Sequence, residues 1–309
     1  MKKHESNLVV LSVMLCWASA YVFIKGLPPE LSDFGYLALM NGIAALILII
    51  IFARRFRYLN KSNIKHGVIL GLLMMLVLMF EKAGVDRLTA SSASILTSLD
   101  ILIVPTLMLI FYRRRPPRKQ MVAIGFILAG IISTNGLSLK DFPIVGTLFM
   151  LGDCICMSLY TVVANKFCKK DDAILLAVNQ IVTMAIVAMI LWTIEEPGMI
   201  FRLHYTPALA SSLFVLALFT KAYSYIILMY GQAYADPVDV VIIFALEPVA
   251  TMLLAVLIPS AFGGVEESFS TTTMLGAFLI AIGAVIGEVD IKRLIKRFRG
   301  GARFAKTKD

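Results

Sequence analysis

Residues 237–258 read PVDVVIIFALEPVATMLLAVLI. A helix needs about 20 apolar residues to cross the hydrocarbon core of a bilayer, and this run is long enough. Glu247 and Pro248 stand near its middle. An acid at that depth is costly in lipid, so the segment belongs inside a bundle of similar segments. Nine more apolar runs are drawn around it: 7–27, 35–53, 67–84, 89–111, 121–137, 144–164, 173–193, 208–230 and 273–289. The chain is 59% hydrophobic and 16% charged, against about 45–50% and about 25% in soluble domains. A soluble chain could not bury that much apolar surface, which excludes an ordinary soluble enzyme or nucleic-acid binder. The expected fold is an all-α integral membrane protein of ten transmembrane helices. No length remains for a separate soluble domain.

Charge orients the bundle. With the N-terminus inside, 23 of the 29 Lys and Arg residues fall in the N-terminus, 54–66, 112–119, 165–170 and the C-terminal tail. Four fall in outside loops or at their edges: Lys82, Arg87, Lys140 and Arg202. Lys25 and Lys221 lie within segments. The outside loops carry acids instead, among them Asp33, Asp86 and Glu196. This asymmetry predicts both termini in the cytoplasm and reads the net charge of +9 as a topology signal. Connection 231–236 holds no basic residue and is its weakest element. Lys2, Lys3 and Ala18-Ser19-Ala20 imitate a cleaved signal, but the apolar run continues to Ile24, as an uncleaved first helix would. In the tail, Ile291, Leu294, Ile295 and Phe298 recur at helical spacing among basic residues, as an amphipathic strip on an anionic leaflet or a plain stop-transfer flank does.

Segments five apart are related. Ser19-Ala20-Tyr21-Val22 aligns with Ser158-Leu159-Tyr160-Thr161, and Met40-Asn41 with Val178-Asn179. Leu78 to Ala83 aligns with Leu228 to Ala233, and Leu99-Asp100 with Leu246-Glu247. Five is odd, so the second half enters the membrane inverted. The expected organisation is two inverted-topology five-helix repeats, 1–140 and 141–289, followed by a basic cytoplasmic tail, 290–309. Inverted repeats accompany alternating access around a midplane site.

Four charges fall near the middle of segments: Asp100, Asp153, Lys221 and Glu247. At ~2.5–3.5 kcal/mol each on insertion scales they cost roughly 10–14 kcal/mol gross, comparable with a whole domain's stability of about 5–15 kcal/mol. They must pair, protonate or line a wet cavity. Helical stripes agree: Lys221, Ser224, Tyr225 and Gln232 share one face, Thr89, Ala93, Thr97 and Asp100 a second, and Gly146, Asp153 and Tyr160 a third, with Trp17 and Tyr21 adjacent on the first segment. Pro248 and Pro105 are expected to bend their helices and free carbonyls. The alternative is a set of ion pairs, such as Lys221 with Asp153 or Asp100, that only fixes packing. Gly67/Gly71 and Gly283/Gly287 are small-xxx-small pairs expected at close helix contacts. Cys16, Cys154, Cys156 and Cys168 form no disulfide or metal pattern, and the histidines are placed in loops, so neither metal nor cofactor is expected.

Taken together these residues resemble the drug/metabolite transporter superfamily, and within it the EamA-type permeases. Trp17-Ala18-Ser19 through Lys25 is similar to the family's opening pattern, and Ala90 to Leu96 to its small-residue entry into the fourth helix. Tyr230-Gly231-Gln232-Ala233 through Pro237 to Leu246-Glu247-Pro248-Val249 is similar to its A-Q-K…P…L-E-P-V run. The resemblance covers essentially the whole chain. It implies two inverted five-helix halves around a central cavity, alternating access, and export of amino acids, related metabolites or drugs. Trp17, Gln232, Glu247 and Pro248 fall on patterned positions. Departures are Ile101 for a usual proline, Asn41 for an arginine, Arg113-Arg114-Arg115 for a G-E pair, and Lys221 where a small residue is usual.

The expected partners are a small-molecule substrate, a coupling proton or sodium ion and the lipid bilayer, with no nucleic acid. Glu247 and Asp100 are the candidate proton carriers. A passive facilitator, or an importer of the same fold, is the competing reading. An intramembrane enzyme would need a nucleophile–base pair or metal cluster at depth, and no such motif is present.

Overall fold

The structure is a computed structural model that describes residues 3–24, 31–88, 96–97, 99–135, 143–198, 202–203, 206–257 and 271–288. The described residues contain helices and turns and no strand. In chain order the helices are α1 (Lys3–Ile24), α2 (Asp33–Ile51), α3 (Lys61–Val85), α4 (Asp100–Tyr112), α5 (Arg118–Asn135) and α6 (Ile144–Cys168). They continue with α7 (Ala173–Glu195), α8 (Pro207–Leu216), α9 (Ser224–Gln232), α10 (Pro237–Phe244), α11 (Glu247–Leu257) and α12 (Thr271–Glu288). A short 3₁₀ turn, Ala53–Tyr58, follows α2, and a π-helical run, Ala217–Tyr223, joins α8 to α9. Each of the ten apolar stretches therefore carries helix. Five continuous helical stretches among the described residues have the length and apolarity to cross a bilayer: Asp33–Ile51, Lys61–Gly84, Ile144–Cys168, Ala173–Glu195 and Leu209–Gln232. Lys25, Thr89, Ala93 and the C-terminal strip lie outside the described residues.

Helix starts are set by side chains that take up the first orphan N–H groups. Ser32 caps α2, Asn60 caps α3, Asp172 caps α7, Thr206 caps α8 and Asp236 caps α10. Pro207 and Pro237 sit at the first helical position, where the missing N–H costs nothing. α4 ends at Arg113 with φ of 51°, a left-handed backbone that favours glycine. Arg113, not a glycine, occupies this turn and carries that strain.

The outward surface is apolar. Ile50 is 74% exposed and Ile144 77%, which suits lipid and would be untenable in water. Inside, one core joins α2, α3, α6, α7 and α9 around Leu70, Ile181 and Met184. A second joins α4, α5, α10 and α12 around Ile124, Ile127, Ile242 and Ile280. Val10 and Met14 of α1 pack with Val240 and Ile243 of α10 in a third.

The polar ties sort to the two ends as the charge census expects. At one end Arg55 pairs with Asp172 at 2.7 Å, His66 with Asp171, and Arg114 with Asp236 at 2.6 Å. The last pair puts the connection without basic residues beside the basic turn at 113–115. At the other end Lys82 pairs with Asp33 and Asp86, and Ser32 donates to Glu196 at 2.7 Å. Three loop assignments are corrected, the first being His4, which lies within α1. His66 lies within α3 and stacks on Phe167, and Cys168 is the buried last residue of α6.

The small-residue pairs lie at close crossings. A methyl group on Gly71 would stand 2.7 Å from Thr183 Cβ, and Gly67 abuts Asn179, both of α7. A methyl on Gly283 would stand 2.7 Å from Ile127, and one on Gly287 2.8 Å from Ile242. By contrast Gly125 faces open space. Gly71→Val is expected to destabilise the protein by about 1–3 kcal/mol through overpacking, and Gly125→Ala to leave it unchanged or slightly more stable. Thermal unfolding in one detergent checks both.

Candidate functional site

The site starts from two interrupted helices. In the fourth segment residues 96–97 are helical, the chain turns at Leu99, and α4 begins at Asp100. In the ninth, α10 ends at Phe244, the chain turns through Ala245 and Leu246, and α11 begins at Glu247. The turns share their hydrogen bonds. Leu99 N–H donates to Leu96 O at 3.0 Å and Ile103 N–H to Leu99 O at 3.1 Å. At the matching positions Leu246 donates to Ile243 at 3.1 Å and Ala250 to Leu246 at 2.9 Å. The ninth segment is therefore not the one bent helix read from its sequence. Pro248 is the second residue of a new helix, where no intrahelical N–H is required, so it starts a helix and does not kink one. Pro105 does lie inside α4, as expected.

Each carboxylate thus opens a half-helix. The first N–H groups there have no intrahelical acceptors and carry the positive end of the helix dipole. Asp100 lies against the Ile101 N–H. At the first break α6 supplies a second donor to Leu96 O, the Cys154 thiol at 2.8 Å.

Around these breaks the charges converge. Gly152 lets the Phe80 ring pack against α6, a methyl there standing 3.3 Å from Phe80 Cγ, which brings the next residues, Glu81 and Asp153, together. Cys154 ties the turn before Asp100 to the same level. Asp153 interacts electrostatically with Glu81 and Asp100, and Glu247 with the same two. Lys221 interacts with Glu81, and its Nζ lies 5.6 Å from the centre of the Tyr225 ring. Among the described residues no direct ion pair joins Lys221 to these acids, nor do three His, Cys, Asp or Glu side chains stand close enough to hold a metal. The carboxylates face one another at Coulombic range, not chelating range.

Trp17 fastens this region. Its indole N–H donates to Thr220 O at 3.1 Å, and its ring lies 5.7 Å from Tyr225 and 5.0 Å from Phe244. Thr220 and Lys221 both belong to the π-helical run, where widened turns free carbonyls for side-chain donors, as Ser224 Oγ does toward Phe219 O at 2.7 Å.

Not every expected residue joins. Tyr160 is fully buried and exchanges hydrogen bonds with Gln180 at 3.0–3.3 Å, beside Tyr225 but in the packed core. Gln232 lies about 16 Å along its helix from Lys221. It belongs to an end knot in which Asn165 Nδ2 donates to Gln232 O at 2.6 Å and Ala235 O at 2.8 Å. Tyr21 lies on α1, and nothing about its side chain is described. Sequence reasoning missed Glu81. It stands near the end of the segment drawn at 67–84 and so does not count among the mid-segment charges; on α3 the neighbours Glu81 and Lys82 point about 100° apart around the helix. Lys82 reaches the end of the bundle and Glu81 its interior.

Interrupted helices, an apolar exterior and converging interior charges define a polytopic helical membrane protein built around a polar centre. The chain belongs to the EamA-like transporter family, whose model matches residues 5–136 and again 144–287. It is similar to two proteins of Archaeoglobus fulgidus, each described as an uncharacterized transporter. One is 23% identical over 91% of this chain and 96% of that protein, the other 20% identical over 92% and 86%. A solved protein crystal structure shares the fold with a TM-score of 0.72 at 16% identity, covering 93% of this chain and 98% of the other. The protein is a membrane transporter of this family.

Removing the thiol at the first break should tell. Cys154→Ala is expected to cost about 0.5–1.5 kcal/mol by removing one of the two donors to Leu96 O, the Leu99 N–H remaining, and Cys154→Ser to recover most of it. Melting temperatures of the two variants against wild type check this.

Proposed function

We propose that the protein is a secondary transporter that exports small organic metabolites, amino acids or related compounds, or drugs, by alternating access around the cluster of Glu81, Asp100, Asp153, Lys221 and Glu247. In this reading the ten segments are transmembrane helices in two inverted repeats, 1–140 and 141–289. Both termini face the cytoplasm of a bacterial cell, and a proton or sodium ion supplies the drive. The observation that carries it is the convergence of five charged side chains from segments three, four, six, eight and nine on two matched helix breaks. Charges that served packing alone would pair directly and could sit anywhere. Here they gather around the two breaks inside the bundle, where a substrate or ion crossing the bilayer needs polar partners. The same hydrogen-bond pattern at both breaks, and two family matches in one chain, support the repeat.

Two measurements test this. In proteoliposomes, Glu247→Gln and Lys221→Ala are each expected to lower substrate flux by roughly tenfold or more, the scale of losing a charged partner in a buried site. Full flux in both variants defeats the site assignment. For orientation, single cysteines at Asp86 and in the C-terminal tail are exposed to an impermeant maleimide in intact cells. Labelling at position 86 and protection of the tail are expected, and the reverse pattern inverts the topology.

A further inference from the structure

We propose that a cleft between α1 and the eighth segment is a binding site for an acyl chain of the phospholipid around the protein. The site is separate from the charged cluster and does not depend on what is transported.

The cleft follows from how the two helices meet. Ser12 Oγ lies 3.2 Å from the Tyr223 hydroxyl, and further along α1 the Trp17 indole N–H donates to Thr220 O at 3.1 Å. The helices are therefore antiparallel and tied at two points. Past Thr220, toward Val215, a cavity of about 210 Å³ stands between them. Leu216 and Thr220, 1% and 5% exposed, form its floor, with Cys16 and Ser19 of α1 opposite. Leu15, Val215 and Phe219 stand at its mouth and are 40–50% exposed.

The wall selects an apolar occupant. Its hydroxyls are already used, since Ser19 Oγ donates to Cys16 O at 2.8 Å and Thr220 Oγ1 to Leu216 O at 2.7 Å, each within its own helix. No charged side chain lines the cavity. A water molecule needs two to four polar partners to stay in such a place, and this wall offers none that is free. Left empty, the cleft would forfeit dispersion contacts along both helices. An apolar cavity of about 150 Å³ takes up benzene, so this one has room for several methylene groups.

Depth decides where that occupant comes from. Val215 to Thr220 lie about 9–17 Å along the helical stretch that begins at Leu209, at about 1.5 Å per residue. The hydrocarbon core is about 30 Å thick, so the mouth opens among lipid tails and away from the headgroups. Phe214 beside it is exposed on the same apolar exterior. An acyl chain seated here abuts Thr220, whose carbonyl holds Trp17, and braces α1 against the π-helical run.

The test is photo-crosslinking of the wild-type protein in phosphatidylcholine nanodiscs that contain a phospholipid with a diazirine in mid-chain. Peptide mapping is expected to find the label on the buried floor, at Leu216 or Thr220, as well as on exposed residues such as Ile186 and Ile190 that any lipid can reach. A water-soluble maleimide is expected to leave Cys16 unmodified in the same nanodiscs. Ser19→Phe fills the cleft and is expected to abolish the floor crosslinks while those at Ile186 and Ile190 remain. Wild-type crosslinks confined to exposed residues, floor crosslinks that persist in Ser19→Phe, or modification of Cys16 by the water-soluble reagent each overturns the proposal. The two wild-type measurements need no variant to fold. Neither reads flux, so failure of the charged cluster as a transport site leaves this site standing.

Discussion

A charge moved from water into hydrocarbon loses its hydration, and the protein must replace it. Most of this architecture follows from that constraint. Asp100 and Glu247 each stand where a helix restarts, so the chain gives up continuous backbone hydrogen bonding at two points, and at the first the Ile101 N–H meets the Asp100 carboxylate. The breaks in turn need partners for their own freed groups, and Cys154 provides one. Close packing of α3 on α6 through Phe80 and Gly152 brings Glu81 to the same level. The glycine crossings between α3 and α7 then hold the supporting helices near enough to exclude lipid.

The two breaks match in backbone and differ in surroundings. The first has a thiol at its carbonyls and a proline five residues into α4. The second has a proline one residue into α11, and the Trp17 ring lies against Phe244 just before the turn. The ends of the bundle differ as well. One is tied by Arg55, His66 and Arg114 to three acids and by Asn165 to two carbonyls, while at the other Lys82 serves two acids at once.

Much of the fold was legible because lipid imposes a coarse code. Apolar runs of sufficient length must be helices, and the sorting of Arg55, Arg114, Lys82 and Asp33 to opposite ends followed from basic-residue bias alone. Asp100, Lys221 and Glu247 announced themselves as charges in apolar runs. What was not legible depended on where a helix stops. Nothing in Phe244-Ala245-Leu246 signals a break, since all three residues suit a helix, and only packing against α1 and the matching first-half turn fixes it. Pro248 was read as a kink because its meaning depends on the helix start. Glu81 was passed over because it stands near the end of its segment, away from the mid-segment charges, and only the packing of α3 on α6 turns it inward while Lys82 reaches the end of the bundle. Gln232 fell on a family pattern, yet distance along the helix puts it with Asn165 and away from Lys221.

The π-helical run from Ala217 to Tyr223 gives this last residue set a mechanical property. A wide turn holds one residue more than an α-turn, and that surplus can pass along the ladder one hydrogen bond at a time. Each passage rotates the residues it crosses by about 100° relative to those on either side. Lys221 sits inside the run, and Thr220, which the Trp17 indole holds, precedes it. The eighth segment is thus a shaft with slack at one point. The position of Lys221 in the run sets the direction in which it leaves the helix, beside the Thr220 carbonyl that the Trp17 indole holds and the Phe219 carbonyl that Ser224 holds.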